Sequence, residues 1–557
     1  MNSGESENRE GQTQGRGGLR GDYALVNGRV HTPLGVVDAL RVKAGRIAAV
    51  GSNLDTSGAR EVFDLMGRTV FPGFTDSHMH LMSWLESLEI LDLTPCRSIS
   101  GLRAALREYA EANPDKDFYR ARGWNETSWP EHRRPTRHDL DDIFPDKPVV
   151  LIRVCGHVAV LNGAAMRFFG LGEAEPVEGG LAERDEHGEP TGVFAERALS
   201  LIYGRLPRPS LDEMREMLKK YGPLAASFGL THVNSEDMGP FRADFRKLLG
   251  FFADAARDGT LPFRVRHQLN MPRQDVLLDF LSDGLRSGDG GPMSQVGPLK
   301  LVCDGSLGGH TASLLEPYSD SPDGDRGIAS FEQEELNQLV RMAHTSGMQV
   351  ATHAIGDGAL EMCLNAIEAA QGVGRPMQMR HQIVHAQIAN DAQLDRMKRL
   401  RVGAMVQPMF VPSDRDMAVE RLGKERAERS YRWKTMIKKG ILTSGGSDAP
   451  IESPRPLWGI HAAVNRQAPG DDRREPWMPA ERLTIGEAIA MYTWADAWQS
   501  GNEQRRGEIA EGRDADLVIL DDDPFLVPRS DIWAIGVAMT ICGGRVTHAS
   551  SSLSGGV

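Results

Sequence analysis

Three patterns of apolar and polar positions divide the chain. From Tyr23 to about Thr69, short β-type runs alternate with glycine turns (ALVNGRVHT, ALRVKAGRIAAVG, EVFDLMGRTVF), which predicts a string of hairpins. Near the other end, ADLVILDDDPF and AIGVAMTICGGRVTHA repeat that style. Neither set alone has enough strands to bury two faces, so joining them in one composite β-sandwich solves burial and edge exposure together; two separate hairpin decorations are the alternative. Between the two sets, apolar strands alternate with amphipathic helices, the mark of parallel βαβ units. Eight strands are predicted: FPGFTDSHMHL, THVNSE, FRVRHQLN, GPLKLVCDGS, MQVATHAIGD, QIVHAQI, RVGAMVQP and ILTSGGSDAP. Helical stretches at 210–228, 332–345, 389–400 and 484–498 supply crossovers, and Ser210 and Thr484 are each followed three positions on by a glutamate, a capping-box pattern. The economical fold is α/β, a (β/α)8 TIM barrel.

About 150 residues separate the first two strands, far more than a crossover helix requires. Segment 82–209 has its own strand (PVVLIRV), its own helix around 102–112 and the aromatic-rich GWNETSW. It reads as an α/β insertion after barrel strand 1, expected over the mouth as a substrate lid. The predicted organisation is therefore a tail (1–22), the first part of the sandwich (23–70), barrel strand 1 (71–81), the insertion (82–209), the rest of the barrel (210–500), the second part of the sandwich (501–549) and a short tail (550–557).

Composition adds exclusions. Hydrophobic residues make up 40% and charged residues 25% of the chain, ordinary for a globular protein that needs no staples. A formal charge of -13 with no long basic run repels a phosphate backbone, so nucleic acid is not an expected partner. No apolar run approaches the roughly 20 residues that span a bilayer, and MNSGESENREGQTQGRGGLRG lacks the apolar centre of a signal peptide. The five cysteines are scattered and never form a CxxC pair. They read as reduced thiols of a soluble, cytoplasmic protein.

Residues two apart on a strand point to one side, so His78 and His80 can present two imidazoles to one ion. Alone, the pair could equally be two of the 16 histidines meeting by chance on an exposed strand end. Four other predicted strands also carry potential ligands near their ends: Lys300, His353, His385 and Asp448. All should project from one end of the barrel. A lysine ammonium has no lone pair to donate; carbamylation of a desolvated Lys300 by carbon dioxide would give an anionic carboxylate able to bridge two metals. An ordinary salt bridge from Lys300 to Asp304 is the alternative.

PGFTDSHMHL, the lysine strand, HAIGD, the later histidine strand and GSDAP occur in the order found in the amidohydrolase superfamily, which the chain resembles. GWNETSW, PTRHDLD, KPVVLIRVCGHVAVLN, DGSLGGHTA, VQPMF, YRWKTMI, GSDAPIESPRPLWGI, WMPAERLTIGEAI and GRDADLVILDDDPF narrow the resemblance to its YtcJ-like branch, which includes N-substituted formamide deformylases. The match runs from Tyr23 to His548. It implies that His78, His80, Lys300, His353, His385 and Asp448 form a zinc centre of one or two ions, and it suggests a homodimer. Three positions depart from the branch: Val384 stands where Glu is usual, Cys155 where Asp is usual, and His310 where Arg is common. None removes a ligand, and Cys155 and His310 are expected to line the pocket.

The implied chemistry is hydrolysis of a small-molecule amide or N-formyl C–N bond. Zinc lowers the pKa of its water toward about 7, while Asp448 takes the proton and returns it to the departing nitrogen; a plain turn aspartate is the bland reading of Asp448. His157 is a candidate donor to the substrate carbonyl, or else a structural histidine beside Asn162. Trp124, with Trp129 and Trp458, could form an apolar wall, or be core. Asp304 and Asp357 are candidates to orient the metal ligands, with helix-capping or turn roles as alternatives. Lactone or ester hydrolysis, ring deamination, or a silent regulatory scaffold are the rival functions.

Overall fold

The computed structural model describes residues 21–126, 129–153, 158–171, 180–203, 205–373, 379–471 and 473–551. Two compact units emerge, Trp84–Met214 and the chain on either side of it.

The larger unit contains the barrel. Its strands are β1 (Phe74–Met79), β2 (Leu230–Ser235), β3 (Arg264–Asn270), β4 (Ser294–Val302), β5 (Val350–Ala354), β6 (Gln382–His385), β7 (Gly403–Val406) and β8 (Thr443–Gly445). They form one sheet in sequence order, each parallel to the next, and each coincides with one of the eight predicted apolar runs. Nearly every residue of these strands is buried, which explains why they read as continuous apolar segments and not as alternating ones. The sheet closes just past the end of β8: Asp448 N donates to His78 O at 2.8 Å, and His80 N donates to Ala449 O at 2.8 Å.

Both predicted capping boxes are present, at Ser210 with Glu213 and at Thr484 with Glu487. The single helix predicted over 484–498 is instead two, Ile485–Met491 and Trp494–Gln499. The break has a cause. The carbonyl of Tyr492 leaves the helix to accept from Thr75 N on β1 at 2.8 Å, and its ring lies where a Cβ on Gly445 or Gly459 would collide with it.

The two terminal regions form one structure, as the strand count requires. Thr69–Pro72 pairs antiparallel with Leu517–Leu520 in a six-stranded sheet, and Tyr23, Leu25, Leu40 and Val70 share a core with Leu517, Ile519 and Ile541. The hairpin expectation is corrected in two places: Tyr23–Val26 pairs antiparallel with Ala39–Lys43 but runs parallel to Glu61–Asp64, and Arg29–Thr32 runs parallel to Thr69–Pro72. A bidentate pair from Arg264, at the start of β3, to Asp516 at 2.8 and 3.0 Å ties the barrel to this sandwich.

The smaller unit has a six-stranded mixed sheet, in which Val149–Arg153 and Tyr119–Trp124 are parallel neighbours. A helix at Ile99–Ala112 starts at Ser98, whose side chain accepts from Gly101 N. Separate apolar clusters contain Val149 and Leu151 in one case and Val150 and Ile152 in the other, so the sheet is covered on both faces. No helix among the described residues is long and apolar enough to cross a membrane.

Three buried histidines in and beside the barrel strands make stability sensitive to acid. Burial holds His232 down to about 4, against the pull of Asp496, and holds His267 and His381 down to about 3. The unfolded chain takes up these protons near the ordinary value of about 6.5, so below that pH it binds more protons than the folded chain. Their contribution to stability should therefore fall as pH drops from about 6.5 toward 4, by up to about 2 kcal/mol per histidine at pH 5, whereas Asp76 and Asp237, raised by burial to about 7 and about 6, contribute in the opposite sense over this range. Urea midpoints at pH 7.5 and pH 5, measured on chelated wild type and on His267→Gln, test this: acidification should cost the wild type more than the variant, and an equal change in both would contradict it.

Candidate metal centre

Six side chains predicted as ligands meet at the C-terminal end of the barrel. His78 lies on β1 and His80 one residue beyond it; Lys300 lies on β4, His353 on β5 and His385 on β6, and Asp448 follows β8. The His78 and His80 rings are 5.3 Å apart, His78 and His385 5.7 Å, and His353 and His385 4.5 Å. His385 and Asp448 have φ of +74° and +58°, a left-handed conformation that side chains rarely adopt and that clusters at functional sites.

Each imidazole is tied through the same atom. His78 Nδ1 meets Gln268 Oε1 at 2.7 Å, and His385 Nδ1 meets Gln407 Oε1 at 2.7 Å. His353 Nδ1 meets Asp304 Oδ1 at 2.9 Å, and His80 Nδ1 meets the Glu236 carbonyl at 2.9 Å and its carboxylate at 3.2 Å. The glutamine amides are oriented by their own donors, Gln268 Nε2 to Ser77 O and Gln407 Nε2 to Met405 O. With oxygen acceptors at every Nδ1, the proton belongs on Nδ1 and the lone pair on Nε2, the form that binds a metal.

The Nε2 atoms of His78 and His80 lie 3.4 and 3.3 Å from Asp448 Oδ1, and Lys300 Nζ is 3.2 Å from His78 Nε2. Neither carboxylate contact has hydrogen-bond geometry, so Asp448 Oδ1 is left buried without a hydrogen-bond partner among the described residues. An orphaned anionic oxygen facing two imidazole Nε2 atoms is a site built for a cation. Ligand atoms of His78, His80 and Asp448 all lie within 4.8 Å of one another. The residues therefore fit a divalent metal.

The electrostatics agree. Burial opposes charge on His80, yet the Asp448 and Glu236 carboxylates on its two sides hold it up to about 10, so the field there seeks a positive charge. Burial lowers Lys300 to about 8, against the pull of Asp448 and Glu236. Burial also pushes the Asp448 carboxyl up, but His80, His385 and Lys300 pull harder, and it ends below the usual carboxylate range.

The other predicted residues are distributed differently. Asp304 accepts from His353 Nδ1 and Ile355 N through one oxygen, and from Ser313 N and Gly356 N through the other. Asp357 accepts from Leu315 N at 2.9 Å and touches no ligand residue. His310 is engaged by Asp320 at 3.1 Å and packs on the Tyr318 ring. Trp124 is fully buried in the core of the smaller unit against Trp129, and Trp458 stacks beneath the Arg455 guanidinium. Cys155 and His157 lie outside the described residues. Sequence reasoning missed Glu236, Gln268, Gln407 and Asp76; the available signal was a polar residue in or closing an otherwise apolar strand.

Comparison with known proteins places these features in context. A family model described as "Amidohydrolase family" matches residues 61–548. The chain is 36% identical to the Bacillus subtilis (strain 168) protein YtcJ over 92% of this chain and 96% of that one. It is 26% identical to the N-substituted formamide deformylase of Arthrobacter pascens, over 95% and 98% of the two chains. The crystal structure of an uncharacterized metal-dependent hydrolase from Pyrococcus horikoshii superposes with a TM-score of 0.75 at 31% identity, covering 91% of this chain and 99% of that one.

A bound ion should stabilise the fold. Chelation is expected to lower the melting temperature and zinc to restore it, by about 4 kcal/mol at an ion concentration a thousandfold above Kd. His80→Ala should largely lose that response. A melt that ignores both chelator and zinc in the wild type would rule the centre out.

Proposed function

Because the chain belongs to the amidohydrolase family of metal-dependent hydrolases, we propose that it uses zinc to cleave a non-peptide C–N bond, of the amide or N-formyl type, in a small molecule. The observation that carries this reading is the bare Asp448 Oδ1 facing the Nε2 atoms of His78 and His80. The likeness to a formamide deformylase supports the choice of bond.

His78, His80, His353, His385 and Asp448 would hold the metal, with Lys300 joining them as a carbamate. Buried Lys300, lowered to about 8, keeps roughly a tenth of its amine neutral at pH 7, and only the neutral amine attacks carbon dioxide. A bound zinc supplies hydroxide at neutral pH and polarises a carbonyl. Asp448 enters as the carboxylate, accepts the proton of the attacking water, and delivers it to the nitrogen as the C–N bond breaks. Asp304 and the two glutamines hold the imidazoles against rotation while charge develops.

A panel of N-formyl amines, N-acyl amino acids, cyclic amides and lactones tests this reading. Wild type should turn over at least one amide or formamide, and Asp448→Asn should lower kcat by about 100- to 10,000-fold. Turnover confined to lactones would overturn the C–N assignment.

A further inference from the structure

The two sides of the metal centre belong to the first and last strands of the barrel. β8 is only three residues long, and beyond it the chain must still be held against β1, where His78 and His80 stand. Two backbone bonds do part of this. The remainder converges on a single side chain, Asp76, which is 2% exposed.

Asp76 Oδ1 accepts from His78 N at 3.1 Å and from Ser447 N at 3.0 Å. Its Oδ2 accepts from Ser447 Oγ at 2.5 Å, and that hydroxyl in turn accepts from Ala449 N at 3.0 Å. The residues on both sides of Asp448 thus hang from Asp76, directly or through Ser447. The same carboxylate holds the backbone of His78. Gly446 permits the approach: a Cβ there would lie 2.6 Å from His78 N and 2.9 Å from Asp76 Oδ1. No ion pair joins Asp76 to a cation among the described residues, and its partners there are N–H and O–H donors.

We propose that Asp76, acting through Ser447, is a positioning residue that sets the spacing between the ligands of β1 and Asp448, so that closing the barrel and binding the metal are one coupled event. Asp76 is not one of the six ligand side chains; it holds the backbones that carry them. A ligand pair held at the wrong separation loses affinity even in a folded protein, because the ion must then perform the closure that the carboxylate performs in advance. This inference rests on the metal-centre reading.

Zinc affinity of the chelated full chain, measured by competition with a chromophoric chelator, tests it, with circular dichroism confirming that each variant is folded. Asp76→Ala should weaken zinc binding about 10- to 100-fold, the usual range for residues behind the ligands. Asp76→Asn, which keeps one oxygen for the two backbone donors, should recover most of that loss. Ser447→Ala should weaken binding by several-fold, and adding it to Asp76→Ala should change little, since both remove one link. Folded variants that bind zinc within about threefold of wild type would show Asp76 to be merely structural and overturn the proposal. If Asp76→Ala does not fold, Ser447→Ala decides on the same criterion. A wild type that binds no zinc would instead sink the metal-centre reading itself.

Discussion

An imidazole can give a lone pair to a cation only from the nitrogen that carries no proton, and an isolated ring has no fixed preference between its two. Four rings must make the same choice at this centre, and each is told which to make by an oxygen at Nδ1. Those oxygens come from residues on or next to β2, β3, β4 and β7, while the rings come from β1, β5 and β6. Only a closed array of parallel strands, all pointing their carboxyl ends the same way, can bring such a set together without long loops. The tautomer requirement thus explains why the barrel must be whole before the centre exists.

The acceptors are of two kinds. His80 and His353 lean on carboxylates, Glu236 and Asp304, whereas His78 and His385 lean on neutral carboxamides. The centre already holds Asp448, and further anions beneath its most buried rings would need further compensating charge. Neutral glutamines fix the tautomer without adding charge.

The barrel was legible in the sequence because doubly covered parallel strands leave continuous apolar runs, and the ligands were legible because histidine and aspartate stand out at the ends of such runs. Gln268 and Gln407 were not, since a glutamine in or beside an apolar strand looks like any polar stop until the partner ring is located. Trp124 illustrates the converse: an aromatic-rich segment suggests a pocket wall, but a ring of that size is also what a small sheet needs to fill its own core. Glycine turns between Tyr23 and Thr69 announced where strands end but not which strands pair, so the parallel pairing of Tyr23–Val26 with Glu61–Asp64 was invisible. The break at Tyr492 arises from a bond to Thr75, more than 400 positions away in the chain. No window along the sequence contains both partners.

That separation has a consequence for how the protein comes into being. Asp76 and Ser447 are 371 positions apart, and Thr69–Pro72, which pairs on one side with Arg29–Thr32, finds its other sheet neighbour in Leu517–Leu520. At the roughly 5–20 residues per second of synthesis, the first histidine pair leaves the ribosome on the order of a minute before the aspartate that completes it. Throughout that interval the nascent chain carries β1 with an unpaired edge and two imidazoles with no ion to share. The earliest strand of the barrel is the one that waits longest, and the growing polypeptide holds the beginning of a metal centre long before it can hold a metal.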